Sequence, residues 1–144
     1  MTSTTIAQIS DTHLSDDRPY FNANFERLAE TLRAAKPDLV INTGDATLDG
    51  CDREADLRRA KAMHDALGLP YRVIPGNHDT GDSRNVGSKQ AIDEVRRERY
   101  LEVFGADRWI QDVPGWRLIG INSQLLDSGL EAEAEQDGFL HDAL

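Results

Sequence analysis

The chain has 144 residues, a length typical of one domain, and its 39% hydrophobic and 29% charged residues are typical of a folded globular protein. A formal net charge of −10 disfavours nucleic-acid partners, because an acidic surface repels phosphate. No apolar run approaches the roughly 18 residues of a membrane helix, and no signal peptide is recognisable. The single cysteine, Cys51, excludes an internal disulfide framework. We therefore expect a cytoplasmic chain with no membrane partner, forming one domain over residues 1–144.

Short β-branched or apolar runs alternate with segments of helical periodicity along the chain. The predicted strands are 5–10, 39–43, 71–74 and 116–122. The predicted helices are 22–35, 52–67, 89–104 and 131–144. This alternation predicts an α/β fold with a layered, mostly parallel β-sheet flanked by helices. The glycine-rich stretch 81–88 predicts a mobile loop.

Each of the first three predicted strands runs directly into a group of polar residues. In chain order these groups are Asp11-Thr12-His13, Gly44-Asp45 and Gly76-Asn77-His78-Asp79. Because the carboxyl ends of parallel strands lie at one edge of a sheet, we expect the three groups to meet there. In an extended backbone the side chains of Asp11 and His13 point the same way. Mixed carboxylate, imidazole and amide donors suit Mn²⁺, Fe or Zn²⁺, and paired metal ions are a common means of hydrolysing phosphate esters.

These ordered motifs resemble the calcineurin-like metallophosphoesterase superfamily. The segment Ile9-Ser10-Asp11-Thr12-His13-Leu14 is most similar to its cyclic-nucleotide and glycerophosphodiester phosphodiesterase branch. The resemblance covers nearly the whole chain and implies an αββα sandwich, of which this chain supplies the N-terminal half. It also implies a metal-dependent phosphodiester hydrolase with two metal ions. The substrate would be a small phosphoester such as a cyclic nucleotide or a glycerophosphodiester.

The resemblance further implies a role for each motif residue. The implied metal ligands are Asp11, His13, Asp45 and Asn77, and Asp45 would bridge the two ions. His78 would contact the phosphate and assist the leaving oxygen, as an acid or a hydrogen-bond donor. Asp79 would orient His78.

The family supplies three further ligand histidines beyond the last predicted helix, two of them in a Gly-His-x-His motif. No Gly-His dipeptide occurs in this sequence, so we expect a truncated domain without these ligands and without the second sheet. Exposed strand edges and faces favour association, so we also expect self-association. Two alternatives stay open: a catalytically inactive, metal-binding half-domain, and an interaction module that binds no metal.

Several single residues have simpler interpretations. Asp49 suits a turn or a helix cap, and His64 suits a helix face in the core. Cys51 is expected to be inert, since Arg58 lies one position too far for the Cys-x₅-Arg pattern of cysteine phosphatases. The register of His141 in the last predicted helix favours a structural role over a ligand role.

Overall fold

A parallel three-stranded sheet of order β1-β2-β3 lies at the centre of the computed structural model, which describes residues 3–144 except for the side chain of residue 85. The strands are β1 (Ile6–Ile9), β2 (Leu39–Asn42) and β3 (Tyr71–Val73). Each lies within one residue of its predicted bounds, so these predictions are confirmed. Their parallel register brings the ends of all three strands to one edge of the sheet.

Five helices connect or follow these strands. They are α1 (Asn22–Ala35), α2 (Glu54–Asp65), the single-turn α3 (Asn77–Thr80), α4 (Glu94–Phe104) and α5 (Glu131–Ala143). Helix α1 ends where predicted, because Lys36 adopts a left-handed backbone with φ 49° and Pro37 follows it. Helix α4 begins later than predicted, because Asp93 caps it by accepting a 2.8 Å hydrogen bond from the Arg96 amide.

A two-stranded antiparallel sheet, which the sequence analysis does not predict, accompanies the parallel sheet. It consists of β4 (Trp109–Val113) and β5 (Trp116–Gly120), joined at Pro114 and Gly115. Strand β5 matches the predicted strand 116–122, whereas β4 is absent from the sequence prediction. The Trp109 indole donates a 2.9 Å hydrogen bond to the Val73 carbonyl and so ties β4 to the edge of the parallel sheet.

The main core lies between the parallel sheet and helices α1 and α2. Phe25, Ala29 and Leu32 face inward from α1 at helical spacing and pack with Val40 of β2. His64 of α2 is fully buried here, as predicted, and its Nε2 lies 3.0 Å from the side-chain nitrogen Nδ2 of Asn42. This layer fixes one face of the sheet and leaves the strand ends free to carry polar side chains.

Smaller contacts attach the second half of the chain. The Gln136 side chain of α5 accepts from the Asn122 amide at 2.9 Å and donates to the Asn122 carbonyl at 3.1 Å. The stretch 81–88 contains a 3₁₀ turn at Arg84–Val86, and the Ser83 amide donates to Gln124 Oε1 at 2.9 Å. Among the helices of residues 3–144, none combines the length and apolar character needed to cross a membrane.

Candidate metal centre

The loops that leave β1 and β2 continue side by side past the edge of the sheet. The Asp11 amide donates to the Gly44 carbonyl, and the His13 amide donates to the Asp45 carbonyl, both at 3.0 Å. The loop after β3 meets them at Gly76, where an added Cβ atom would lie 2.1 Å from Asp45 Oδ1. The three polar groups therefore converge as predicted, and the convergence depends on the missing side chain at Gly76.

Three of the predicted ligands have an unusual backbone conformation. Asp11, His13 and Asp45 have φ values of 55°, 44° and 52°, in the left-handed region that residues other than glycine seldom adopt. The extended conformation expected for the Asp11–His13 pair is therefore wrong. Backbone strain of this kind persists where the surrounding structure enforces it, and it is concentrated at functional sites.

His13, Asp45 and His78 form the centre of the site. One potential ligand atom from each of them lies within 4.8 Å of the other two, and all three residues are half-buried. The two imidazole rings meet edge to face at 4.6 Å between centroids. The His78 amide also donates a 3.1 Å hydrogen bond to Asp45 Oδ1, which fixes the carboxylate beside both rings.

Asp11 and Asn77 flank this cluster. Asp11 Oδ1 lies 3.9 Å from His13 Nε2, and the Asp11 side chain is 68% exposed and free to turn toward an ion. The Ser10 hydroxyl donates to the other Asp11 oxygen. Asn77 is half-buried and opens helix α3, directly before His78.

The His78 ring is oriented by a backbone carbonyl and not by Asp79. His78 Nδ1 donates to the Leu48 carbonyl at 2.6 Å, so Nε2 is the nitrogen left for another partner. The Leu48 carbonyl therefore has the orienting role that was expected of Asp79.

Asp79 instead joins the loops after β2 and β3. Its carboxylate is fully buried and accepts hydrogen bonds from the Thr47 amide (2.8 Å), the Thr47 hydroxyl (2.7 Å), the Ala46 amide (3.1 Å) and the Gly76 amide (2.9 Å). Burial raises the pKa of Asp79, and the hydrogen bonds from these donors oppose that increase. The role of Thr47 was not predicted from the sequence. Its only indication there is a small polar residue two positions after Asp45.

A second acidic group, formed by Asp49, Cys51 and Asp52, is already occupied by protein partners. Arg18 and Gln90 bind the Asp49 carboxylate at 2.9 and 3.1 Å. Burial raises the pKa of Cys51 to about 12, with a further contribution from the charges of Asp52 and Asp49. Because the thiolate is the form that reacts and binds metal, this geometry fits the inert role predicted for Cys51.

The residues of the main cluster fit a metal ion. His13 Nδ1 is buried and has no hydrogen-bond partner within the described part of the chain, so this nitrogen is available to bind a metal ion. Imidazole and carboxylate donors together suit Mn²⁺, Fe or Zn²⁺.

Comparison with known proteins gives consistent matches. A family model described as calcineurin-like phosphoesterase matches residues 4–142. A protein of Arcobacter nitrofigilis named as a probable glycerophosphodiester phosphodiesterase is 34% identical over 90 residues, covering 62% of this chain and 30% of its own length. One of a Pseudoalteromonas species, named as a probable cyclic nucleotide phosphodiesterase, is 34% identical over 98 residues, covering 63% of this chain and 37% of its own. This chain thus spans about a third of the length of these two relatives.

The solved structure of a purple acid phosphatase from yellow lupin seeds shares the fold. It superposes with a TM-score of 0.56 over 97% of this chain and 27% of its own, at 14% sequence identity. An identity this low supports the architecture alone, which confirms the layered α/β arrangement predicted from the sequence.

Proposed function

Because this chain belongs to the calcineurin-like phosphoesterase family, we propose that it is part of a metal-dependent hydrolase that acts on a small phosphodiester. The observation that carries this proposal is the convergence of His13, Asp45 and His78 at the carboxyl edge of the parallel sheet. The names of the two relatives suggest a glycerophosphodiester or a cyclic nucleotide as substrate.

The proposed ligands would bind two metal ions. Asp11 and His13 would bind the first ion, Asn77 would bind the second, and the two oxygens of Asp45 would serve both. The hydrogen bond from the His78 amide to Asp45 Oδ1 supports this role, because it holds the carboxylate at the meeting point of the loops. When bound, such ions act as Lewis acids that polarise the phosphoryl oxygens and lower the pKa of water. Their positive charge also offsets the acidic surroundings that would otherwise repel a phosphate.

His78 is proposed to move the proton for the leaving oxygen. The Leu48 carbonyl accepts from Nδ1, so Nδ1 keeps its hydrogen whether the ring is neutral or charged. In the charged ring, Nε2 carries the second proton and donates it to the phosphate or to the leaving oxygen. After the transfer, the ring is the neutral tautomer that the Leu48 contact already favours.

Asp79 is proposed to position the site without touching the substrate. Its buried carboxylate holds the amides of Ala46, Thr47 and Gly76, which belong to the loops that carry Asp45 and His78. Loss of this carboxylate would let the two loops separate, and small displacements of catalytic groups reduce rates strongly.

The test is Mn²⁺-dependent hydrolysis of bis(p-nitrophenyl) phosphate by the purified chain. Asp45→Asn is the test variant, and Asp127→Asn is the matched control, because both aspartates have a left-handed backbone, with φ 52° and 58°. We expect hydrolysis that Asp45→Asn abolishes and Asp127→Asn preserves. Metal binding without hydrolysis would support the alternative, a metal-binding protein without catalytic activity, and would contradict the proposal for this chain.

A further inference from the structure

Two aromatic side chains stand exposed beside the candidate metal centre, at the start of α1. Tyr20 is 72% exposed and Phe21 is 41% exposed. The Phe21 ring lies 5.9 Å from the His13 ring, and Tyr20 meets Phe21 edge to face at 6.5 Å. The Phe21 ring therefore lies next to His13, and the Tyr20 ring lies next to Phe21.

Neither the fold nor the helix accounts for an aromatic residue at position 21. Phe21 is the N-cap residue of α1, and its side chain makes no capping hydrogen bond. Ser, Thr, Asp or Asn at this position would stabilise the helix start with a side-chain hydrogen bond, whereas Phe makes none and exposes apolar surface. Departures from local sequence preferences of this kind are expected at functional sites.

A cavity of about 190 Å³ lies between the first turns of α1, including Phe21, and the segment that carries Asp11. The residues that line it include Asp11, Phe21, Leu28 and the exposed Asn24. The cavity is smaller than the roughly 300–1,000 Å³ that takes a whole drug-sized ligand. It fits one ring system attached to a phosphate held nearby.

We propose that Phe21, with Tyr20 beside it, forms a subsite for the nucleobase of a nucleotide phosphodiester, which rests on the proposed function of the neighbouring centre. A planar base stacks well on an aromatic face, and this contact tolerates any base sequence. A glycerol substituent is small and polar and gains little from an aromatic wall. The Asn24 amide offers both a donor and an acceptor to the edge of the base.

The experiment compares adenosine 5′-monophosphate with ribose 5-phosphate, which lacks the base. Both are titrated against the full chain in the presence of Zn²⁺, and binding is followed by saturation-transfer NMR. We expect adenosine 5′-monophosphate to bind about 5- to 150-fold more tightly, the factor that corresponds to 1–3 kcal/mol of stacking. Equal binding of the two ligands, including no binding of either, overturns the proposal.

Phe21→Ser is the main variant, because serine is a good N-cap residue and the helix start is preserved. It should remove the preference for the base and leave ribose 5-phosphate binding unchanged, while Phe21→Trp should keep the preference. Trp116→Ser is the control, since Trp116 is 75% exposed on β5. A preference that survives Phe21→Ser, or that Trp116→Ser reduces equally, contradicts the subsite.

A failure of the proposed function gives a different result. Ribose 5-phosphate carries the phosphate without the base, so its binding reports on the metal centre. If Asp45→Asn leaves that binding unchanged, the centre does not hold the phosphate. The effect of Phe21→Ser on the base preference is measured separately in the same titrations.

Discussion

Replacing Gly76 by alanine tests whether the three loops meet as described. Gly76 has an extended backbone, with φ −100° and ψ −172°, which any residue can adopt. The effect of the substitution is therefore steric and not conformational. The new Cβ atom would lie 2.1 Å from Asp45 Oδ1 and 2.5 Å from the Asp45 amide nitrogen.

The size of the expected loss in the free energy of unfolding depends on which atoms must move to make room for the Cβ atom. A flexible side chain could rotate away from Cβ, but the Asp45 amide nitrogen belongs to the backbone and is fixed by the neighbouring loop. Overpacking in well-packed regions costs about 1–3 kcal/mol, and a backbone clash lies at the upper end of that range. Displacing Asp45 also weakens its hydrogen bond with the His78 amide, which contributes about 1 kcal/mol. We expect Gly76→Ala to lower the free energy of unfolding by about 3–4 kcal/mol.

The assay is urea unfolding followed by circular dichroism, with Gly138→Ala as the matched control. Gly138 lies inside α5, and a Cβ atom there meets nothing within 4 Å. Gly138→Ala should therefore raise the free energy of unfolding by up to about 1 kcal/mol through helix propensity. A Gly76→Ala variant as stable as the unmodified chain would refute the close approach of the loops.

Three further outcomes are expected from urea unfolding. Asp79→Asn should lower the free energy of unfolding by about 2–5 kcal/mol, because the amide nitrogen of the new Asn side chain cannot accept hydrogen bonds from the donors that face it. The control is Asp142→Asn at an exposed position, which should change the free energy of unfolding by less than about 0.5 kcal/mol. Tyr100→Phe should leave the free energy of unfolding unchanged or raise it by about 1 kcal/mol, because the buried Tyr100 hydroxyl has no hydrogen-bond partner within residues 3–144. By comparison, Tyr71→Phe removes a hydrogen bond to Asp65 and should not stabilise the chain. Burial lowers the pKa of His64 from its ordinary value of 6.5, so the folded state binds fewer protons than the unfolded state. Stability should therefore fall as the pH drops below 6.5, by at most about 1.4 kcal/mol per pH unit from this group, and His64→Gln should reduce that slope; an unchanged slope would contradict the assignment.

The parallel sheet and its helices could be predicted because their signals are local. Apolar spacing marks α1, and the continuous apolar run of β2 marks a strand buried on both faces. Strand β4 could not be recognised in the same way, since the polar Gln111 and Asp112 interrupt its apolar residues and none of its residues is fully buried. The Pro114-Gly115 pair was the available signal, because that dipeptide commonly joins the strands of a hairpin.

The meeting of the three polar groups was predictable for a different reason. It follows from the topology, since every parallel strand delivers its following loop to the same edge. The directions of individual side chains do not follow from it. In the single turn of α3, the Asp79 side chain points into the protein while His78 faces Asp45, and sequence order alone does not distinguish these two outcomes.

The left-handed backbone conformations of Asp11, His13 and Asp45 also could not be predicted from the sequence. They arise from the paired loops after β1 and β2, whose hydrogen bonds connect residues more than 30 positions apart. The exposure of Phe21 is similar, because periodicity shows which residues of a helix face the core but not which apolar residue before the helix stays outside. Both features need the tertiary contacts.

The most direct test of the metal centre is Mn²⁺ binding, measured by titration calorimetry and by the electron paramagnetic resonance signal of free Mn²⁺. The unmodified chain is compared with Asp45→Asn and with Asp127→Asn, which carries the same change of charge at another left-handed aspartate. We expect saturable binding in the unmodified chain and in Asp127→Asn, and a loss of at least about tenfold in affinity in Asp45→Asn. Equal binding by all three proteins, or no saturable binding by any, would contradict a metal centre in which Asp45 is a ligand.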